Sequence, residues 1–238
     1  MTSLRKTALA AGLFYLLSFV SIPTLVLYAA VRAPNYVIGP GPDANVLIGA
    51  ILELIVGLAG IGSAVALFPV VRRQNEGVAL GLVASRTLEA AMLFAGVMCL
   101  LSVVSLRQDG AGAGALLLGQ TLATMYGRTL LVGQSFIPAV NGLLLGYLLF
   151  RSRLVPRALP VLGFIGATLL VGGDVAKLFG LFAPMSSLDV LSALPVAIWE
   201  FSLGVYLVVK GFRPAPILFS DTRDAGMTRS LAPAAAAR

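Results

Sequence analysis

The chain has no histidine and one cysteine, Cys99. No disulfide can therefore form within it, and metal or haem sites built on His and Cys lose their usual ligands, so neither a metal nor a cofactor is expected. The histidine-dependent hydrolase triads and the His-Glu-x-x-His metalloprotease helix are excluded with them. Charge is scarce too. Asp, Glu, Lys and Arg make up 11% of the 238 residues, against ~25% in an ordinary soluble domain. So little charge cannot cover a globule with a solvated surface. Acids are outnumbered by bases, 10 to 17, for a net charge of +7. The excess does not point to nucleic acid, because the basic residues form no stripe. They stand at the ends of apolar runs, where they orient helices and meet anionic lipid.

What is abundant is hydrophobic side chain, 58% of the chain, gathered in blocks. Six runs meet the ~20-residue length of a membrane-spanning helix: 7–31, 45–71, 77–106, 129–150, 158–182 and 190–209. Only helices or closed barrels satisfy their backbone in lipid, and these runs are too long for barrel strands. The expectation is an all-α, polytopic, six-span bundle over residues 1–213, with a tail over 214–238 whose Pro, Ser and charged composition predicts disorder beyond about residue 219. The first apolar run, 8–31, is longer than the ~7–15 residues of a signal-peptide core, so it reads as a retained span. Residues 116–126 read either as an interfacial helix or as an extension of the fourth span. The two halves do not place their charges in corresponding positions, which leaves an inverted repeat without support.

Twelve of the seventeen basic residues fall at the N-terminus, in the second and fourth loops and in the tail. Three, Arg32, Arg107 and Arg128, fall on the other side, and Arg86 and Lys177 lie within spans. This asymmetry predicts a multi-pass cell-membrane protein with both termini cytoplasmic and anionic lipid at that face.

Six ionisable residues lie inside the predicted spans: Glu53, Arg86, Glu89, Asp174, Lys177 and Glu200. An insertion scale assigns ~2.5–3.5 kcal/mol to Asp, Lys or Arg at mid-helix, so pairing, protonation or water must offset them. Arg86 and Glu89 stand three residues apart on one helix, and Asp174 and Lys177 repeat that spacing as a secondary pair. Glu53 and Glu200 have no local partner. Depth along the helices predicts two clusters, Arg86, Glu89 and Glu200 near the middle and Glu53 with Asp174 and Lys177 further out. Small residues share the acidic faces: Gly77, Gly81 and Ser85 before Glu89, Gly49 and Gly57 around Glu53, and Gly204 after Glu200. Such stripes predict close helix contact. Gln134 and Asn141 add polarity to the fourth span, and Pro23, Pro138 and Pro195 interrupt apolar runs.

Three stretches, "GAILELIVGLAGIGSAVALFPVVRRQNEGVALGLVASRTLEAAMLF", "NGLLLGYLLFRSRLVPRALPVLGFIG" and "LPVAIWEFSLGVYLVVKGFRP", resemble the bacterial membrane family catalogued as domain of unknown function 4386. The resemblance covers about residues 5–214. It implies a multi-pass bacterial inner-membrane protein and no established activity. Its pattern of a glutamate in the second helix, R-x-x-E-A in the third and W-E before S-L-G in the sixth falls on Glu53, on Arg86 with Glu89, and on Trp199 with Glu200. Relatives carry a His-Asp-Trp-containing stretch at the start of the fourth helix, where this chain has Tyr126, Gly127 and Arg128. Asp174 and Lys177 lie outside the pattern.

Two readings follow. In the first, Glu53, Arg86, Glu89, Asn141, Trp199 and Glu200 form a non-enzymatic polar intramembrane site that binds or moves a small molecule, a lipid or a proton. In the second, the charges only latch helices of a structural or partner-binding subunit, and exchanging Arg86 with Glu89 is tolerated. No residue is marked as catalytic.

Overall fold

The computed structural model describes residues 3–218, and every regular element among them is helical. The helices are α1 (Ser3–Leu17), α2 (Thr24–Leu27), α3 (Asp43–Val71), α4 (Glu76–Gln108), α5 (Leu116–Leu131), α6 (Ile137–Ser152), α7 (Ala158–Leu178) and α8 (Ser187–Val209). They form six stretches long and apolar enough to cross a membrane. Their outer faces carry exposed Leu58, Leu80, Leu88 and Met98. A surface that apolar belongs in lipid.

The local signals explain where helices start and stop. Asn75 accepts the Val78 N–H to cap α4, and Ser186 caps α8 through the Asp189 N–H. Arg153, at φ 57°, ends α6 in the left-handed conformation, and Gly211, at φ 74°, follows α8. The first span is not the continuous helix expected over 7–31. It breaks into α1, a 3₁₀ turn at Ser18–Ser21 and the short α2. Pro23 supplies no N–H there, and the Ser18 and Thr24 hydroxyls donate to the Tyr15 and Ser21 carbonyls at 2.7 Å, competing with the helical ladder. In the fourth span, residues 116–126 extend the helix, because α5 runs through a π-helical turn, Val132–Phe136, into α6.

The spans pack as a closed ring. α3 packs on α4, α4 on α5 and α6, α6 on α7 and α7 on α8, while α1 touches both α3 and α8. The seam between the first and last spans is tight: a Cβ on Gly12 would lie 2.8 Å from the Gly204 carbonyl oxygen and 2.9 Å from the Val208 nitrogen. Arg5 fastens it by donating to the Leu207 and Val208 carbonyls, which have no partner within α8. Arg5→Ala is expected to remove about 1 kcal/mol of stability and to speed amide hydrogen exchange in the last turn of α8 more than elsewhere.

Two apolar clusters fill the ring. One holds Leu67, Leu82, Leu149, Trp199 and Leu203, the other Tyr28, Val46, Leu100, Val103 and Tyr126. The chain beyond α8 continues onto the first: the Arg213 N–H donates to the Leu154 carbonyl at 2.8 Å, and Ala215 is buried. The disorder expected beyond about residue 219 lies outside the described residues.

Candidate functional site

The polar residues inside the bundle fall into three groups, not the two expected. The first is centred on Arg86 of α4, buried one turn before Glu89. Arg86 Nη1 donates to Glu89 Oε2 at 3.0 Å, and Nη2 donates to Glu200 Oε1 of α8 at 2.6 Å and to the Tyr15 hydroxyl of α1 at 3.3 Å. Asn141 Nδ2 of α6 donates to Glu89 Oε2 at 2.6 Å. The guanidinium thus ties α4 to α1 and α8, Glu89 brings in α6 as a fourth span, and the Tyr15 ring lies 5.4 Å beneath the guanidinium. Glu200, without a partner on its own helix, finds one across the ring.

The second group is Glu53 on α3. Its Oε1 accepts the Tyr126 hydroxyl of α5 at 2.6 Å, and its buried Oε2 has no hydrogen-bond partner among the described residues. The buried Tyr28 hydroxyl is also unpartnered and stands close enough to Glu53 for the two to interact electrostatically. Tyr28 and Tyr126 meet edge to face, with centroids 5.4 Å apart. No described salt bridge reaches Glu53; the guanidinium of Arg32 lies 5.9 Å over the ring of its hydrogen-bond partner Tyr126.

The third group holds Asp174 and Lys177, expected to join Glu53 but placed elsewhere, because α7 packs on α6 and α8 and not on α3. Lys177 Nζ bridges Asp174 at 2.8 Å and Asp189 of α8 at 2.7 Å. The π-helical turn rotates Ser135 inward, where its hydroxyl donates to Asp174 at 2.6 Å. The secondary pair is therefore a clamp between α7, α8 and the fourth span.

The glycines around Glu53 mark contact with neighbouring spans through aromatic rings. Gly49 and Gly57 make room for the rings of Tyr28 and Phe94, and Gly77 is exposed. At the C-terminal end of α4, Arg107 pairs with Asp43, which also accepts the Tyr36 hydroxyl at 2.7 Å. Burial and the neighbouring Asp43 carboxylate hold that hydroxyl well above its ordinary pKa.

These glutamates and their neighbours lie within residues 10–211, which match the family described as Domain of unknown function (DUF4386). The chain belongs to the DUF4386 family. No curated protein and no solved structure matches it.

In this DUF4386 chain the W-E pair of α8 splits between two environments. Glu200 joins Arg86, whereas Trp199 is fully buried and its indole lies over Gly163, 2.7 Å from where a Cβ would stand. Its indole nitrogen has no partner among the described residues, so it touches neither acid. Tyr15, Tyr28 and Tyr126 escaped the sequence reading as site residues. Tyrosine blends into an apolar helix, and only the departure from the family pattern drew attention to Tyr126.

Proposed function

We propose that this membrane protein carries an intramembrane proton-binding centre at Glu53, and that the Arg86 network is the latch that holds the bundle around it. The observation that supports this division is the partnering. Glu89 and Glu200 share a guanidinium, while Glu53 is buried with one tyrosine hydroxyl and one unpartnered oxygen. A carboxylate buried without a counter-ion is stable only with its proton on or with a cation drawn to it. That is the property of a group that takes up and releases a proton inside a membrane, and Tyr126 and Tyr28 supply hydroxyls able to pass one on. Asp43 starts α3 ten residues before Glu53, so the centre lies ~15 Å along the helix from its outer end.

The orientation belongs to this proposal. The end bearing Arg5, Arg72, Arg151, Arg157 and Lys210 faces the cytoplasm and its anionic lipid, and the loop bearing Arg32 faces outward. A bacterial inner membrane fits the resemblance read from the sequence.

The test is proton flux into liposomes containing the purified protein, read by an enclosed pH dye. Glu53→Gln keeps the shape and an acceptor for Tyr126 but cannot carry the proton. It is expected to lose the protein-dependent flux while its unfolding midpoint stays within about 1 kcal/mol of wild type. Equal flux in wild type and Glu53→Gln defeats the reading. The second reading, a purely structural subunit, is favoured by one observation, the four-span tie at Arg86, and it predicts no protein-dependent flux at all.

A further inference from the structure

A cavity of about 310 Å³ opens at the outer end of the bundle, between the loop after α2, the middle of α4's outer half and α5. Val31, Val37 and Val103 form its apolar wall, and Arg32, Gln120 and Thr124 supply its polar groups. Its size falls in the range of sites for small organic molecules. No acidic residue lines it. The other outer arginine, Arg107, is committed to Asp43 and the Gly39 carbonyl, whereas Arg32 has no hydrogen bond or salt bridge among the described residues and only the Tyr126 ring beneath it. Gln120 uses its amide N–H on the Pro34 carbonyl at 3.2 Å, which pins the loop across the cavity. The wall valines belong to the same apolar cluster as Tyr28 and Tyr126. The cavity thus rests on the residues that hold Glu53.

We propose that this cavity binds a small organic anion, a carboxylate or phosphate group on a compact apolar body, with Arg32 as its charge partner, and that the anion enters together with the proton of Glu53. The second half rests on the proton-centre reading. The guanidinium fits either oxyanion, and the valine wall fits the apolar body. The coupling follows from position. Arg32 lies 5.9 Å over the ring of Tyr126, whose hydroxyl donates to Glu53, so its positive field falls on that carboxylate. An anion paired with Arg32 cancels that field and leaves Glu53 to be neutralised by a proton, so each ligand favours the other. Among the described residues, the polar groups gathered at Glu53 are Tyr126 from α5, Tyr28 from the first span, edge to face with Tyr126, and Arg32 over the Tyr126 ring. At the next turn of α3, Gly57 meets the uncharged Phe94 of α4.

The experiment is calorimetric titration of the full chain in phosphatidylcholine nanodiscs with benzoate and, separately, inorganic phosphate. Each is run in two buffers of different ionisation heat, so that proton uptake is read beside affinity. Wild type is expected to bind one of the probes at one site and to take up protons with the anion, fewer than one per anion, in proportion to the fraction of Glu53 that was ionised before binding. Arg32→Gln, an exposed substitution, is expected to weaken binding at least about tenfold, with Arg32→Lys recovering part of it. Glu53→Gln is expected to bind without proton uptake. Phosphatidylglycerol added to the nanodisc tests the lipid source: competition with the probe identifies a headgroup as the anion, and its absence a soluble one. Failure of both probes and the lipid to bind, or unchanged binding by Arg32→Gln, overturns the anion site. Arg32-dependent binding with undiminished proton uptake in Glu53→Gln overturns the coupling and the proton centre while leaving the anion site standing.

Discussion

Replacing Arg86 by Met is expected to destabilise the protein by about 3–5 kcal/mol, more than any other single charge removal in the bundle. The substitution keeps the aliphatic volume and deletes the guanidinium. Glu89 and Glu200 then lose their shared cation, and the Tyr15 hydroxyl loses its donor. Proteins have only about 5–15 kcal/mol of stability, so the loss moves a large fraction of the chain out of the native state. Trp199, the single tryptophan and fully buried, gives the readout: its emission followed through a denaturing-detergent titration reports the unfolding midpoint. Adding Glu89→Gln and Glu200→Gln to Arg86→Met is expected to recover much of the loss, because no unpaired charge then remains buried. If Arg86→Met unfolds at the wild-type midpoint, the network does not hold the bundle. The structure also revises the charge exchange that spacing alone would allow. Arg86→Glu with Glu89→Arg preserves the pair on α4 but sets a carboxylate at position 86 against Glu200. The exchanged double variant is therefore expected to stay destabilised.

Gly166→Leu is expected to be the next most damaging change, at about 1–3 kcal/mol or more. A Cβ at position 166 would stand 2.7 Å from the Val196 nitrogen and 2.8 Å from its Cα. The obstacle is backbone, which cannot swing aside as a side chain would, so α7 and α8 must part. The indole of Trp199 packs on Gly163 in the same seam and is expected to shift its emission. Gly172→Leu on the same helix is the control. Nothing lies within 4 Å of a Cβ there, and the change is expected to stay within about 0.5 kcal/mol. Equal midpoints for the two leucine variants would show that the α7–α8 contact is looser than drawn.

Helix number and type were legible because lipid imposes a length and an apolarity that no tertiary contact overrides. The Arg86–Glu89 pair was legible because its spacing is local. Its grouping with Glu200 was legible from depth along the spans, although the contact itself was not, since no periodicity says which face of α8 turns toward α4. Glu53 was correctly found without a local partner, yet its placement with Asp174 failed, because depth along a helix says nothing about order around a ring. The glycine stripes marked helix contact of an unexpected kind: an absent side chain leaves room, and at Gly49 and Gly57 it is filled by an aromatic ring of a neighbouring span, Tyr28 of the first and Phe94 of α4. Tyr126 and the π-helical turn that brings Ser135 to Asp174 depend on how the fourth span winds, which hydropathy does not encode.

The ring also has a history in time. Helices enter the membrane in chain order, but α1 finds one of its two neighbours only when α8, the last span, arrives. Until then Arg86 has Glu89 and the Tyr15 hydroxyl but not Glu200, the Gly12 face lacks the α8 backbone it packs on, and Arg5 lacks the Leu207 and Val208 carbonyls. A nascent chain with five spans inserted is an open horseshoe with a buried charge turned toward the gap. Completion of the sixth helix is thus the event that commits the molecule. A chain ending before α8 would display in its open seam the signal by which membrane quality control recognises an unfinished protein.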